Sequence, residues 1–102
     1  MIKNQKAQGD VLLTPVGGEI PARAMKREGR TVAYGEATGH HHWLTAGDIY
    51  VMDDRMWVVV PEGGAELRHP EHGVIWLDPG TYQVDLQVEV DPFTGLVRHV
   101  TD

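Results

Sequence analysis

The strongest structural signal in this chain is the ten-residue stretch TYQVDLQVEV at residues 81–90. Every even-numbered residue from Tyr82 to Val90 is apolar or aromatic, and every odd-numbered residue from Thr81 to Glu89 is polar. Successive side chains of a strand point to opposite faces, so this alternation predicts a strand with one buried and one wet face. The turn-forming sequence DPFTG follows, and residues 96–100 are expected to return as a hairpin partner.

Short strands separated by tight turns account for the rest of the chain. Twelve Gly and six Pro residues interrupt it at short intervals and leave little room for a long helix. Further strands are expected at 11–16, 31–36, 48–52, 56–60, 65–68 and 74–77, with one more ending at Trp43-Leu44. About eight short strands with turns of this kind predict an all-β fold, either a small antiparallel barrel or a compact sandwich.

Length and composition restrict the class of protein. The 102 residues suffice for one domain, residues 1–102, and the polar segment 1–8 is expected to be loose. A formal charge of −6 argues against nucleic acid as a partner. The absence of cysteine excludes disulfides and thiolate metal ligands. With no signal peptide and no apolar run of about 20 residues, we expect no membrane association and a cytoplasmic location.

Five of the six histidines fall into two clusters, which are the candidate site. In an extended GHHHW segment, His40 and His42 would point to one side and His41 to the other. The second cluster is HPEHG, in which Pro70 and the following glycine favour a tight turn that brings His69 and His72 together.

Histidine and carboxylate ligands without thiolates favour a divalent transition metal, Zn²⁺ first and Fe²⁺, Mn²⁺ or Ni²⁺ as alternatives. The predicted metal ligands are His40, His42, His69 and His72. Glu71 is the predicted catalytic residue, because its carboxylate could position a water molecule. An open metal position would activate that water toward a small substrate. His41 and His99 are not expected to be ligands.

Two other interpretations stay open. The histidines could form a non-catalytic site, with or without a metal, that holds a homo-oligomer together. Alternatively, a pair of histidines could act as a general acid and base in a metal-free enzyme.

Several segments resemble a group of small uncharacterised bacterial and phage proteins. The resemblance is carried by QGDVLL at 8–13, GEATGHHH at 35–42, HPEH at 69–72 and LDPGTY at 77–82. It implies that His40, His42, His69, Glu71 and His72 form one shared feature, but it implies no activity.

A looser similarity is to cupins, small β-barrels with a His-x-His pair after a glycine. His40-x-His42 after Gly35 matches that element. The chain lacks the glutamate expected after the pair, and its second cluster precedes the Pro79-Gly80 turn instead of following it. The similarity implies a metal-binding barrel, and cupin activities would come only by analogy.

Overall fold

The computed structural model describes residues 5–17, 20–34, 41–86, 88–90 and 97–99. Over these residues the chain is all-β, as predicted, and contains no helix that could span a membrane. The described part has twelve strands, more than the eight or so expected, because the expected strand 81–90 divides in two and short strands also form at 6–8 and 25–27. In chain order they are β1 Lys6–Gln8, β2 Val11–Pro15, β3 Met25–Arg27, β4 Thr31–Tyr34, β5 His41–Leu44, β6 Asp48–Met52, β7 Arg55–Val60, β8 Ala65–Arg68, β9 Ile75–Leu77, β10 Gly80–Leu86, β11 Val88–Val90 and β12 Val97–His99.

Two antiparallel sheets form a sandwich-like fold and not a closed barrel. The six-stranded sheet has the order β1-β2-β10-β7-β6-β3, and the four-stranded sheet has the order β4-β5-β8-β9. The chain passes from one sheet to the other between β3 and β4, between β5 and β6, between β7 and β8, and between β9 and β10. Strand β5 therefore pairs with β8 in one sheet, while the β6–β7 hairpin that separates them in sequence pairs in the other.

The 81–90 stretch, expected to be one strand, forms two, β10 and β11, and Leu86, expected on the buried face, is 44% exposed at the end of β10. Tyr82 and Val84 are buried, and β10 lies between β2 and β7. Strand β11 pairs with β12, which confirms the predicted hairpin partner. The core lies between the sheets and consists of Val11, Leu13, Val32, Leu44, Ile49, Val58, Val60, Ala65, Leu67, Leu77, Tyr82 and Val84.

Two local expectations change. Segment 1–8 was expected to be loose, but Lys6–Gln8 forms β1, and Gln8 is only 2% exposed. The strand forms because Gln8 pairs with Val11 across the two-residue turn Gly9-Asp10, where Gly9 adopts a φ of 58°. Segment 23–27, which the sequence left open between a helical turn and a strand, forms β3 at its end.

Candidate metal centre

The register of β5 and β8 brings the two histidine clusters together. Trp43 pairs with Arg68 and Leu44 with Leu67. One further step in the same antiparallel register sets His42 opposite His69, and their ring centroids are 4.3 Å apart. The predicted meeting of the two clusters thus occurs within one chain.

His72 completes a group of three imidazoles, His42, His69 and His72, called here the imidazole cluster. The tight turn after β8 returns His72 to within 4.5 Å of His69 between ring centroids. The His42 and His72 rings are 5.9 Å apart, and their planes are 14° from parallel. The three rings are therefore mutual neighbours, which is the first requirement of a shared site.

The imidazole cluster is largely shielded from water. His42 is 0% and His69 7% exposed, and His72 is half-buried. The Nε2 atom of His72 is buried and has no hydrogen-bond partner among the described residues. A buried polar atom normally has a partner, so its position favours a bound ligand or ion.

Gln8 fixes the tautomer of His42. The side-chain amide Nε2 of Gln8 donates hydrogen bonds to the carbonyl oxygens of Leu67, at 2.9 Å, and Gly73, at 2.8 Å. The side-chain Oε1 of Gln8 is therefore an acceptor, and His42 Nδ1, 2.9 Å away, must be the donor. In the neutral ring the lone pair of His42 is then on Nε2.

Asp10 faces that lone pair. Its Oδ1 lies 3.6 Å from His42 Nε2, and the residue is 8% exposed. A separation of 3.6 Å exceeds that of a hydrogen bond. Gln8 ends β1 and Asp10 lies in the β1–β2 turn, so one short hairpin supplies groups to both nitrogens of the same imidazole.

The backbone N–H of Glu71 determines which ring nitrogen of neutral His69 carries the proton. It donates to His69 Nδ1 at 3.0 Å. A neutral His69 with an acceptor Nδ1 has its proton on Nε2, which makes Nε2 a donor and not a metal ligand in this arrangement. The side chain of Glu71, the predicted catalytic residue, is exposed on the same turn.

A family model described as Domain of unknown function (DUF8820) matches residues 7–87. The chain belongs to the DUF8820 family. No curated protein and no solved structure matches it. The match extends from β1 through β10, so Gln8, Asp10 and the imidazole cluster all lie in the DUF8820 domain.

Among the predicted ligands of this DUF8820 chain, His42, His69 and His72 come together, whereas His40 lies outside the described residues. His41 is half-buried where its neighbour His42 is fully buried, which is the alternation expected along β5. The side chain of His99, on β12, lies outside the described part.

Within the described residues of the DUF8820 domain, no three His, Asp or Glu side chains have their donor atoms already gathered to hold a metal. A three-ligand centre would therefore need a side-chain rotation or a further ligand.

Sequence reasoning missed Gln8 and Asp10. Polar residues beside a turn near the N-terminus resemble a loose segment, and only the pairing of β1 with β2 brings them against β5 and the 69–73 turn. The available signals were the resemblance carried by QGDVLL at 8–13 and the adjacent apolar run 11–13, which marks the following strand.

Proposed function

We propose that this domain binds one divalent transition metal at the imidazole cluster, with His42 Nε2 and Asp10 Oδ1 as its first two ligands. The observation that carries the proposal is their 3.6 Å separation. Metal–nitrogen and metal–oxygen bonds of about 2.0–2.2 Å at a tetrahedral angle place two donor atoms roughly 3.3–3.6 Å apart. The pair is thus too far apart for a hydrogen bond and suitably spaced for two ligands of one ion.

The environment of His42 supports this role. A metal-binding histidine usually donates its second N–H to an oxygen that orients the ring, and Gln8 Oε1 accepts such a bond at 2.9 Å. The Gln8 amide is itself held by two backbone carbonyls. The ring therefore needs no reorientation when an ion arrives.

His72 is the third proposed ligand, because its buried Nε2 lacks a hydrogen bond among the described residues and its ring is 5.9 Å from that of His42. The proposal requires the His72 side chain to rotate until this nitrogen reaches the ion. His40 remains a fourth candidate from its spacing to His42. His69 becomes a neighbouring N–H donor, as its bond from the Glu71 amide favours.

Two imidazoles and one carboxylate suit Zn²⁺ and also non-haem Fe²⁺, with Mn²⁺ and Ni²⁺ as alternatives. Three protein ligands leave a coordination position open to water, and a bound Zn²⁺ lowers the pKa of that water to about 7. On this proposal Glu71, exposed on the adjoining turn, positions the water or a small substrate.

Calorimetric titration of metal-free, tag-free protein with Zn²⁺ tests the proposal. We expect about one equivalent to bind, at least tenfold more weakly in His42→Ala and in Asp10→Ala. His41→Ala is the matched control, because it changes the adjacent residue on the other side of β5. Binding of less than about a tenth of an equivalent would overturn the proposal. Equal weakening in His41→Ala would also overturn it.

A metal-free acid–base enzyme is the second candidate, and the donor state of His69 Nε2 favours it. It predicts that chelation leaves any activity intact and that His69→Ala abolishes it.

A site that holds a homo-oligomer is the third candidate. Trp76 in the edge strand β9 and Val74 just before it are exposed apolar side chains. Exposed apolar residues at a sheet edge favour self-association. It predicts that chelation lowers the mass measured by light scattering after size-exclusion chromatography.

A further inference from the structure

Cationic residues are concentrated in one segment of an otherwise acidic chain. Four of the nine Lys and Arg residues lie within residues 23–30, where Glu28 is the only acidic residue, although the whole chain has a formal charge of −6. Such local asymmetry produces a positive potential where an anion can approach.

Three of these cations line a groove of about 570 Å³ beside β5. Lys26, Arg27 and Arg30 form its basic side, with Glu28 and Asp48 as acidic neighbours. His41 and Trp43, which alternate with His42 along β5, also line it. The groove therefore lies on the face of the strand opposite the imidazole cluster, and its ligand does not depend on the proposed metal.

We propose that this groove binds a small organic oxyanion, a phosphate or carboxylate attached to a planar ring. Two backbone carbonyls anchor the arginine side chains. The Gly47 carbonyl accepts a hydrogen bond from Arg30 Nε at 3.2 Å, and the Thr31 carbonyl accepts one from the Arg27 guanidinium. Each guanidinium has five N–H donors, so an anchored one keeps others for an oxyanion.

The charge balance of the groove favours a single small anion. Among the described residues that line the groove, Asp48 pairs with Lys26 at 3.3 Å, and Glu28 is the one other acidic residue beside Arg27 and Arg30. A long polyanion would extend beyond the groove onto a chain with a net charge of −6 and be repelled. A volume of about 570 Å³ lies in the usual range for small-molecule sites.

Trp43 supplies the surface for the planar ring. It is half-buried, and the Arg68 guanidinium lies 5.8 Å from its ring centroid, which holds the indole in place. Aromatic rings pack against an indole in offset or edge-to-face contacts. A ring beside the oxyanion should therefore increase affinity over the oxyanion alone.

Titration of metal-free protein with phenyl phosphate, followed by NMR at the Trp43 indole N–H, tests the proposal. We expect saturable shifts with a Kd of about 1 mM and roughly tenfold weaker binding of inorganic phosphate. Benzoate, titrated in parallel, distinguishes a carboxylate site from a phosphate site.

Arg30→Gln should weaken phenyl phosphate binding at least about fivefold. Arg55→Gln is the matched control, since Arg55 also lies over a tryptophan, 4.9 Å from the Trp57 ring, but does not line the groove. The absence of saturation by about 20 mM for both phenyl phosphate and benzoate would overturn the proposal. Equal weakening in Arg55→Gln would overturn it too.

Discussion

The imidazole rings of His42 and His69 lie 4.3 Å apart, although 27 positions separate the two residues in the sequence. The separation is short because β5 and β8 are paired neighbours, and the β6–β7 hairpin between them belongs to the other sheet. His42 lies in β5 and His69 directly follows the end of β8, so two paired strands bring the candidate site together.

Gln8 should be the most important polar residue for the stability of this site. In Gln8→Leu the Leu67 and Gly73 carbonyls and the His42 Nδ1–H lose their partner in a buried setting. We expect the free energy of unfolding in urea to fall by about 3 kcal/mol. Gln5→Leu, an exposed glutamine bonded to Thr14, is the control and should change it by less than about 0.5 kcal/mol. Equal effects would mean that the Gln8 network contributes little.

Gly47 should be essential to the turn at which the chain passes between the sheets. Its φ is 104°, and an added Cβ would collide with the backbone oxygen of Val59, which cannot move without disturbing β7. Gly47→Ala should lower the free energy of unfolding by about 2 kcal/mol or more. Gly17→Ala, where a Cβ would meet no atom of the described residues within 4 Å, should be nearly neutral. Urea denaturation of both variants checks this, and a stable Gly47→Ala would contradict the turn geometry.

Tyr82 should make stability depend on alkaline pH. Burial, and then the nearby Asp78, raise the pKa of the Tyr82 phenol above 10.0. Above pH 10 the unfolded chain loses this proton before the folded protein does, so stability falls as pH rises toward the folded pKa. Thermal unfolding measured above pH 10 should show a smaller fall in melting temperature with pH for Tyr82→Phe than for wild type. The control Tyr50→Phe should behave like wild type.

Tyr82→Phe should also lose about 1 kcal/mol of stability at neutral pH, because the hydroxyl donates to the Asp78 carbonyl at 2.8 Å. A variant with the same alkaline decline as wild type would exclude Tyr82 as its cause.

Asp10→Asn should show whether metal binding at the candidate centre depends on the negative charge of Asp10, because asparagine has nearly the same shape. The amide fills the same space but is a much weaker ligand than a carboxylate, so Zn²⁺ affinity should fall at least tenfold. Asp85→Asn, at an exposed position of β10, should leave affinity unchanged. Calorimetry measures both, and unaltered binding in Asp10→Asn would remove Asp10 from the proposed ligand set.

Local pattern was sufficient to predict most strands. The alternation around Tyr82 and Val84, and the Asp53-Asp54 turn between β6 and β7, depend only on neighbouring residues. Asp53 adopts a φ of 55°, which aspartate tolerates better than most residues. Neighbouring residues could not decide between a barrel and a sandwich, because that choice depends on which strands pair at the sheet edges.

The candidate site was predictable only in part for the same reason. Residue type and clustering in the sequence identify His42, His69 and His72 as candidates, and the structure brings them together. Gln8 and Asp10 carry no such signal, since their burial follows from long-range hairpin packing. The hydrogen bond from the Glu71 amide to His69 Nδ1 depends on the backbone of one turn, which spacing does not specify.

The most direct test of the metal proposal is an anomalous-difference map at the zinc edge, from crystals of tag-free protein grown with Zn²⁺. We predict one peak within about 2.0–2.2 Å of both His42 Nε2 and Asp10 Oδ1, with His72 turned toward it. A map with no peak between these two atoms, at full zinc supplementation, would contradict the proposal.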